Sequence, residues 1–340
     1  MTTYQHSARE ADPDAGTAVD APPARAGLVH RLGLDRLSGI YCWVILLVLF
    51  SVWLPDTFPT SSTVRSIGSN SAVTSLVALA LILPVACGLF DLSVGAVLGV
   101  AAVLVLQLQQ GGMNPALAAL LTLAAGVGIG AVNGFLVVKV GVSSFIATLG
   151  MSSVLAATAF AITNGNQLVA KTPSAFVDLG QGTLLGLPNP VWFAVAVAAV
   201  LVYVTEWTTV GRYMYAIGGN AEAARLVGIR VDLVQFGSLI TSALLAAFAG
   251  IVLSAQLGAG SADVGPAYLL PAFSAVLLGA TQIKTNGRAN VLGTLVAVLL
   301  LATGIFGLQL AGAPSFISSL FNGAALILAV SLSLRANRQR

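Results

Sequence analysis

The stretch of sequence that decides the fold runs from Pro115 to Val138 and reads PALAALLTLAAGVGIGAVNGFLVV. It carries no charged residue, and about 20 consecutive apolar residues are enough for a helix to cross the hydrocarbon core of a bilayer. Gly126, Gly130 and Gly134 recur at four-residue spacing, so on a helix they form one smooth face that a second backbone can approach closely. The stretch therefore predicts a membrane-spanning helix that packs through its glycines.

The composition of the whole chain points the same way. Its 340 residues include 15 Lys+Arg and 12 Asp+Glu, so charged residues make up 8% of the chain, whereas soluble globular proteins carry about 25%. Hydrophobic residues make up 57%, which predicts that lipid surrounds most of the chain. This excludes an ordinary soluble enzyme. The net charge of +3 comes without a basic stripe interleaved with aromatic residues, so we expect no nucleic-acid partner.

Stretches of this kind recur along the chain and are interrupted by Pro, Gly and charged residues. They predict an all-α integral membrane protein with about ten transmembrane helices, in a transmembrane domain over 37–334. The polar residues 1–36 are predicted to form a disordered cytoplasmic tail, and 335–340 a basic cytoplasmic C-terminus. The predicted spans are 37–54, 68–88, 92–110, 115–138, 143–163, 190–206, 233–257, 267–282, 289–310 and 315–334.

The distribution of basic residues predicts the orientation. If the N-terminus is cytoplasmic, only Arg65 and Lys171 fall on the outer side. Because cytoplasmic loops carry an excess of Lys and Arg, this asymmetry predicts an even number of spans with both termini inside. The thirteen basic residues on the cytoplasmic side are Arg9, Arg25, Arg31, Arg36, Lys139, Arg212, Arg225, Arg230, Lys284, Arg288, Arg335, Arg338 and Arg340.

Two segments of the chain resemble one another. Gly141-Val-Ser-Ser-Phe-Ile-Ala-Thr-Leu149 opens the fifth predicted span, and Gly312-Ala-Pro-Ser-Phe-Ile-Ser-Ser-Leu320 opens the tenth. In the predicted topology these two spans run in opposite directions through the membrane. The similarity therefore favours an inverted repeat, although chance similarity of nine residues is the alternative.

Catalytic and nucleotide-binding motifs are absent from the sequence. The only histidines are His6 and His30, and no lysine follows a glycine as a phosphate-binding loop requires. Cys42 and Cys87 stand alone in apolar runs, which predicts neither a disulfide nor a metal site. No charged residue stands out within a span as a proton or sodium relay. We therefore expect no catalytic residues, metal or cofactor of its own, and an external source of energy for any uphill transport.

The loop over 207–232 is the longest predicted cytoplasmic connection. Asn220 is a good helix N-cap, and Glu222 falls in the first turn, where the helix dipole favours an acid. Arg225 can pair with Glu222 at i,i+3, and Gly228 can end the helix. On these residues alone, a capped surface helix between two spans is favoured over a helix that docks on a motor protein.

Several motifs resemble a known family. The spacing Glu222-Ala223-Ala224-x3-Gly228 is similar to the EAA loop of ATP-binding-cassette (ABC) importer permeases. Three further segments resemble the ribose-type branch of monosaccharide permeases, and the resemblance extends over 76–330. The sequence departs from that pattern in lacking the proline that ends the longer EAA signature near Ile240, and in the loop Thr281-Gln-Ile-Lys-Thr-Asn-Gly287, which replaces a more glycine-rich one. The three segments are Gly88-Leu-Phe-Asp-Leu-Ser-Val-Gly95, Ser144-Phe-Ile-Ala-Thr-Leu-Gly150 and Gly211-Arg-Tyr-Met-Tyr-Ala-Ile-Gly-Gly-Asn220.

The resemblance implies a complete importer. It implies a second permease copy or paralogue, a cytoplasmic ABC ATPase that binds the ATP, and an extracytoplasmic binding protein that delivers a ribose-like monosaccharide or related polyol. It also implies a multi-pass protein of a bacterial inner membrane. The residues expected to couple to the ATPase are Arg212, Asn220, Glu222, Ala223, Ala224, Arg225 and Gly228.

The substrate path is less defined by the sequence. Amides within spans match sugar hydroxyls, and we expect Asn70 and Asn133 to be path candidates, although hydrogen bonding between helices is the favoured role for each amide. Asp91 is a third candidate, with a favoured role as N-cap of the third span beside Ser93. The other amides within spans include Gln107, Gln256, Gln309 and Asn322.

Alternative functions remain open on the sequence. A permease for nucleosides or branched-chain amino acids would share the architecture and the coupling loop. A channel or facilitator that works without partners is a further alternative. An integral-membrane enzyme is disfavoured by the absence of an acid/base constellation.

Overall fold

The computed structural model describes residues 38–169, 174–282 and 288–338. The predicted tail 1–36, Lys171, Lys284 and Arg340 lie outside these ranges, as does most of the loop that ends at Gly287. Within the described residues, the chain is almost entirely helical. The helices are α1 (Ser38–Trp53), α2 (Ser61–Ala86), α3 (Val94–Gln110), α4 (Pro115–Gly134), α5 (Ser144–Thr163), α6 (Ser174–Gln181), α7 (Asn189–Val202), α8 (Thr209–Gly219), α9 (Ala221–Leu226), α10 (Val231–Leu257), α11 (Val264–Gln282), α12 (Val291–Leu310) and α13 (Phe316–Arg338).

Short strands complete the described secondary structure. Strand β1 (Leu168–Val169) pairs antiparallel with β4 (Ala259–Gly260), and β2 (Thr183–Leu184) pairs antiparallel with β3 (Leu187–Pro188). Two α-helices continue into a π-helical turn. The first of these turns, Phe135–Lys139, follows α4, and the second, Tyr203–Trp207, follows α7.

Each of the ten predicted spans coincides with an apolar helix. Among the described residues, seven helices are long and apolar enough to cross a membrane, and three further apolar helices are shorter, at Gly39–Trp53, Val94–Gln110 and Phe316–Ile327. The all-α, multi-pass fold is thus confirmed. The number of ten crossings and the cytoplasmic termini stay predictions.

The predicted start of the second span at residue 68 is wrong. Helix α2 begins at Ser61, because the Thr60 side chain caps it by accepting a hydrogen bond from the Thr63 N–H at 3.2 Å. The first two turns carry Ser, Thr and Arg65, so their polarity hides them from a search for apolar runs. The cap decides the start of this helix, and hydropathy does not.

Helices α2 and α10 lie at the centre of the fold. In α10, Leu239, Ala243, Ala246 and Ala247 are fully buried, and α10 contacts α2, α3 and α4. The outer helices α4, α5 and α7 leave most of their surface exposed. A buried helix with many alanines lets neighbouring helices approach closely. Small residues are typical of helix contacts in a membrane, because burial of apolar surface does not drive helices together in lipid.

The glycine stripe of α4 lies against α10. A Cβ at Gly126 would stand 2.6 Å from the Ala247 Cβ, and one at Gly130 would stand 2.6 Å from the Ile240 Cα. At Gly134 it would stand 2.6 Å from the Phe236 ring. These distances leave no room for a side chain, so the stripe sets the spacing between the two helices.

The helix contacts repeat between two halves of the chain. Helix α3 packs on α4 and α5, while α11 packs on α12 and α13. Both α4 and α3 pack on α10, while α12 and α11 pack on α2. The two similar segments occupy equivalent places, since Gly141 (φ +82°) precedes α5 and Gly312 (φ +87°) precedes α13. If α5 corresponds to α13, as the similar segments suggest, then α2, α3 and α4 correspond to α10, α11 and α12. The helix contacts are consistent with this correspondence.

Candidate coupling surface and polar cavity

The connection between α7 and α10 folds into two short helices, α8 and α9. The Thr208 hydroxyl caps α8 by accepting from the Gly211 N–H at 3.4 Å, and the Asn220 side chain caps α9 by accepting from the Ala223 N–H at 3.0 Å. The predicted N-cap at Asn220 and the predicted helix end at Gly228 are confirmed: α9 ends at Leu226, just before Gly228 turns the chain at φ +86°. Helix α8, which precedes α9, was not predicted.

Arg225 bridges α9 to the first turn of α10. Its Nη1 lies 2.9 Å from the Glu222 Oε1, and its Nη2 lies 3.1 Å from the Asp232 Oδ1. All three side chains are more than half exposed, and exposed ion pairs contribute only about 0–1 kcal/mol to stability. The pair at i,i+3 was expected, whereas Asp232 was missed because it lies seven residues from Arg225. The bridge orients α9 more than it stabilises the fold.

The end of α9 exposes apolar side chains. Leu226 is 88% exposed and Val227 is 77% exposed, next to the exposed Glu222 carboxylate. The same helix buries Ala224 toward the protein. Exposed apolar side chains bordered by charged groups are typical of protein–protein contact surfaces. These two residues were not predicted, because neither is charged or capping and their exposure is not visible in the sequence.

Helix α8 anchors this surface to the spans. It buries Gly211, Met214 and Ile217 and exposes Arg212. The backbone of Gly218 lies directly against the Ala86 carbonyl at the end of α2.

A second anchor joins α8 to the start of α12. The Tyr215 hydroxyl donates to the Ala289 carbonyl at 2.9 Å, and the Arg288 guanidinium lies 5.7 Å from the centre of the Tyr215 ring. Burial, and to a smaller degree the nearby Glu206 carboxylate, raises the pKa of Tyr215. The hydroxyl therefore stays protonated and keeps its hydrogen bond.

The turn between α2 and α3 connects α8 to α5. On one side of this turn, Gly88 contacts Gly218 of α8. On the other side, the Phe90 N–H donates to the Ser144 Oγ at 3.1 Å and the Leu92 N–H donates to the Thr148 Oγ1 at 3.0 Å. Both acceptors lie in the first turns of α5, so this turn contacts α8 on one side and is hydrogen-bonded to α5 on the other.

Asp91 lies at the centre of a closed polar cluster. Its Oδ1 accepts from the Ser93 N–H at 3.0 Å and the Ser93 hydroxyl at 2.6 Å, and its Oδ2 accepts from the Ser242 hydroxyl at 2.9 Å. Asp91 lies two residues before Ser93, which holds the assigned cap position of α3 but makes no side-chain cap hydrogen bond. The Asp91 Oδ1 accepts from the Ser93 N–H instead, so Asp91 makes a capping hydrogen bond two residues before the predicted position.

Asn133 closes the same cluster from α4. Its Nδ2 donates to the Ser93 hydroxyl at 2.9 Å, while its Oδ1 has no hydrogen-bond partner among the described residues. Asn133 and Asp91 are both 0% exposed. Two of the three predicted path residues are therefore sealed from solvent in this conformation and hold α3, α4 and α10 together.

The third predicted path residue, Asn70, lies elsewhere. It lines a cavity of about 240 Å³ between α2, α11, α12 and α13, together with Gln309 and Asn322. The remaining intramembrane amides do not line it: Gln256 donates to the Ser69 hydroxyl at 2.8 Å, and Gln107 lies on α3. Asn70, Gln309 and Asn322 thus meet at one place, which a single sequence does not reveal.

These features define a multi-pass membrane protein of the transporter class, and comparison with known proteins places it further. The family described as branched-chain amino acid transport system / permease component matches residues 63–330. That range includes α2 to α12, both polar sites and the α8–α9 pair. The chain belongs to this family of transport permeases.

Three curated relatives align over most of the chain. The ribose import permease protein RbsC of Bacillus subtilis (strain 168) is 33% identical over 310 residues, covering 89% of this chain and 94% of the relative. RbsC of Escherichia coli (strain K12) is 33% identical over 300 residues, covering 87% and 93%. The L-arabinose ABC transporter permease protein AraH of Azospirillum brasilense is 30% identical over 329 residues, covering 96% and 95%.

One solved structure is also similar. It is described as a metal-chelate type ABC transporter in an inward-facing conformation, and it matches with a TM-score of 0.47 at 16% identity, covering 86% of this chain and 98% of that one. This likeness is too low to support an argument about mechanism.

Proposed function

We propose that this chain is the permease subunit of an ABC importer and forms the path of a monosaccharide or related polyol across the membrane. Relatives named as ribose and L-arabinose permeases support the sugar class, each aligned over 87% or more of this chain. Among the described residues, none of those that line the polar cavity is charged, which fits a neutral, hydroxylated solute.

The observation that carries the proposal is the geometry of the α8–α9 pair. Its exposed tip presents Leu226, Val227 and Glu222 to a partner, while its base contacts the end of α2 and the start of α12. A surface helix that only linked two spans would need no such contacts. The pair is built to receive a cytoplasmic ATPase and to pass its motion to the spans.

The path of that motion follows the contacts. A shift of α8 moves the Ala86–Gly88 region through Gly218, and the backbone of Phe90 and Leu92 then carries the shift to the start of α5. Helices that move as rigid bodies about packed interfaces convert small local shifts into opening and closing of a cavity. ATP-driven closure of the ATPase thereby changes which side of the membrane the path faces.

The remaining parts of the importer are separate chains. A cytoplasmic ABC ATPase binds and hydrolyses the ATP, an extracytoplasmic binding protein delivers the sugar, and a second permease copy or paralogue completes the path. The chain itself carries no cofactor and binds no nucleic acid. Its location is a bacterial inner membrane, with the α8–α9 pair on the cytoplasmic side.

Charge reversal at the tip of α9 tests the proposal. In vesicles that contain the complete importer, Glu222→Lys is expected to lower ATP-driven D-ribose uptake at least tenfold, because it places a second cation beside Arg225 at the docking surface. Insertion and folding should stay unchanged, since the pair that it breaks is exposed. Uptake and co-purification of the ATPase with the permease are measured together.

Asp56→Lys is the matched control. Asp56 is also exposed and acidic, but it lies between α1 and α2, at the end of α2 that is opposite to the Ala86 contact with α8. Its charge reversal should leave co-purification of the ATPase at the wild-type level. Wild-type uptake and co-purification for Glu222→Lys would show that the α8–α9 pair is only a link between two spans.

A further inference from the structure

The polar cavity lies against the first half of α2, away from the contact with α8 at Ala86. Asn70 and Gln309 are exposed, whereas Asn322 is only 7% exposed, so the cavity runs from an open mouth to a buried amide. Ser71 and Thr74 add hydroxyl groups along α2, and no charged side chain lines the cavity among the residues that the structure describes. The cavity is polar but electrically neutral.

The Asn322 side chain lines the buried part of the cavity. Its Oδ1 is buried and has no hydrogen-bond partner among the described residues. The nearby Gln309 Nε2 donates to the Ser318 hydroxyl at 3.0 Å and does not donate to the Asn322 Oδ1. Buried carbonyl oxygens are rarely left without a donor, because the lost solvation costs free energy. A hydroxyl donor inside the cavity would satisfy this oxygen.

The opposite walls of the cavity are apolar. Pro271, Ile305 and Phe306 line them, and a pocket with apolar walls and a few placed polar groups is typical of small-molecule sites. A volume of about 240 Å³ holds on the order of eight water molecules at liquid density. A monosaccharide ring matches the size of the cavity. It also matches its combination of polar groups and apolar walls, since the ring has hydroxyl edges and apolar C–H faces.

The closed cluster around Asp91 lacks these properties. Asn133 also has an unpaired buried Oδ1, but it is 0% exposed and does not line the cavity. Asn322 and Asn133 therefore differ in their position relative to the cavity: Asn322 lines it, and Asn133 does not.

We propose that the cavity between α2, α11, α12 and α13 is a binding site for a neutral, hydroxyl-rich molecule of monosaccharide size. Asn322 accepts a hydrogen bond from one ligand hydroxyl, and Asn70 and Gln309 flank the mouth. The assignment rests on the proposed sugar-import function and adds to it a site within a single permease chain, with Asn322 as a specificity-determining residue.

The test uses the complete importer in vesicles and three probes, D-ribose, L-arabinose and D-allose. Asn322→Leu removes the acceptor at nearly constant volume and is expected to lower uptake of the best-transported sugar about tenfold, the factor that matches about 1.4 kcal/mol for one hydrogen bond. It should also change the ratio of uptake among the three sugars. A change in packing alone would lower uptake of all three equally.

Gln109→Leu is the matched control. Gln109 is a buried amide on α3 whose Nε2 and Oε1 both lack partners among the described residues, and it does not line the cavity. It should leave the uptake ratios unchanged. Wild-type ratios for Asn322→Leu would overturn the site while leaving sugar import standing. If the wild-type importer takes up none of the three sugars, the proposed function fails and the site falls with it.

Discussion

The closed cluster around Asp91 and the open cavity around Asn322 contain the same kinds of side chain in different states. In the cluster, hydrogen bonds join the Asp91 carboxylate, the hydroxyls of Ser93 and Ser242, and the Asn133 amide. Asp91, Ser93 and Asn133 are all 0% exposed. In the cavity, Asn70, Gln309 and Asn322 line one space, and no hydrogen bond joins them among the described residues. Polar groups inside a membrane protein thus either pair to hold helices together or stay unpaired where a ligand can reach them.

The difference comes from the neighbouring backbone. The cluster is sealed because Gly130 and Gly134 let α4 approach α10 closely, bringing Asn133 over Ser93. Around the cavity, bulkier residues such as Ile305 and Phe306 stand where small residues would allow closure. Small residues therefore decide which polar groups become structural.

The largest effect is expected from removing the carboxylate of the closed cluster. Asp91→Ala leaves the hydroxyls of Ser93 and Ser242 and the Ser93 N–H without their acceptor, and each buried unsatisfied group costs about 1–3 kcal/mol. We expect the free energy of unfolding to fall by about 3 kcal/mol, measured as a lowered midpoint of thermal unfolding in detergent.

Asp263→Ala serves as the control for that loss. Asp263 is exposed and precedes α11, so its removal should shift the midpoint little. Equal shifts for the two variants would mean that the Asp91 cluster does not hold the helices together.

A smaller effect is expected from opening the same cluster through its packing. Gly130→Ala places a Cβ 2.6 Å from the Ile240 Cα and 2.8 Å from the Leu239 carbonyl oxygen, and such overpacking costs about 1–3 kcal/mol. We expect a loss near 1–2 kcal/mol in the same assay. Gly128→Ala, where a Cβ meets nothing within 4 Å, should be neutral or slightly stabilising. Identical results at both positions would contradict the close α4–α10 contact.

Much of the fold follows from the sequence because apolar length and helix punctuation are local signals. The ten helical stretches, the caps at Asn220 and Gly228 and the i,i+3 pair of Arg225 all depend on residues close in the chain. The glycine stripe of α4 also predicts close packing, but its partner, α10, lies about a hundred residues away in sequence and is not encoded locally.

The features that were missed depend on polar helices or on tertiary contacts. The first turns of α2, together with α6 and α8, are too polar or too short for a hydropathy search. The exposed Leu226 and Val227 look unremarkable in a sequence, because only burial of their neighbours shows that they protrude. Asn70 and Asn133 are indistinguishable by type and setting, and their difference appears only when Gln309 and Asn322 come together from other helices.

The central claim is that this chain moves sugar only when a separate ATPase acts on the α8–α9 pair. Flux of radiolabelled D-ribose into vesicles tests it most directly, with the purified permease alone and with its ATPase and binding protein added. We expect negligible flux for the permease alone and concentrative, ATP-dependent uptake for the complete importer. Equal flux in both preparations, without ATP, would contradict it and identify the chain as a facilitator.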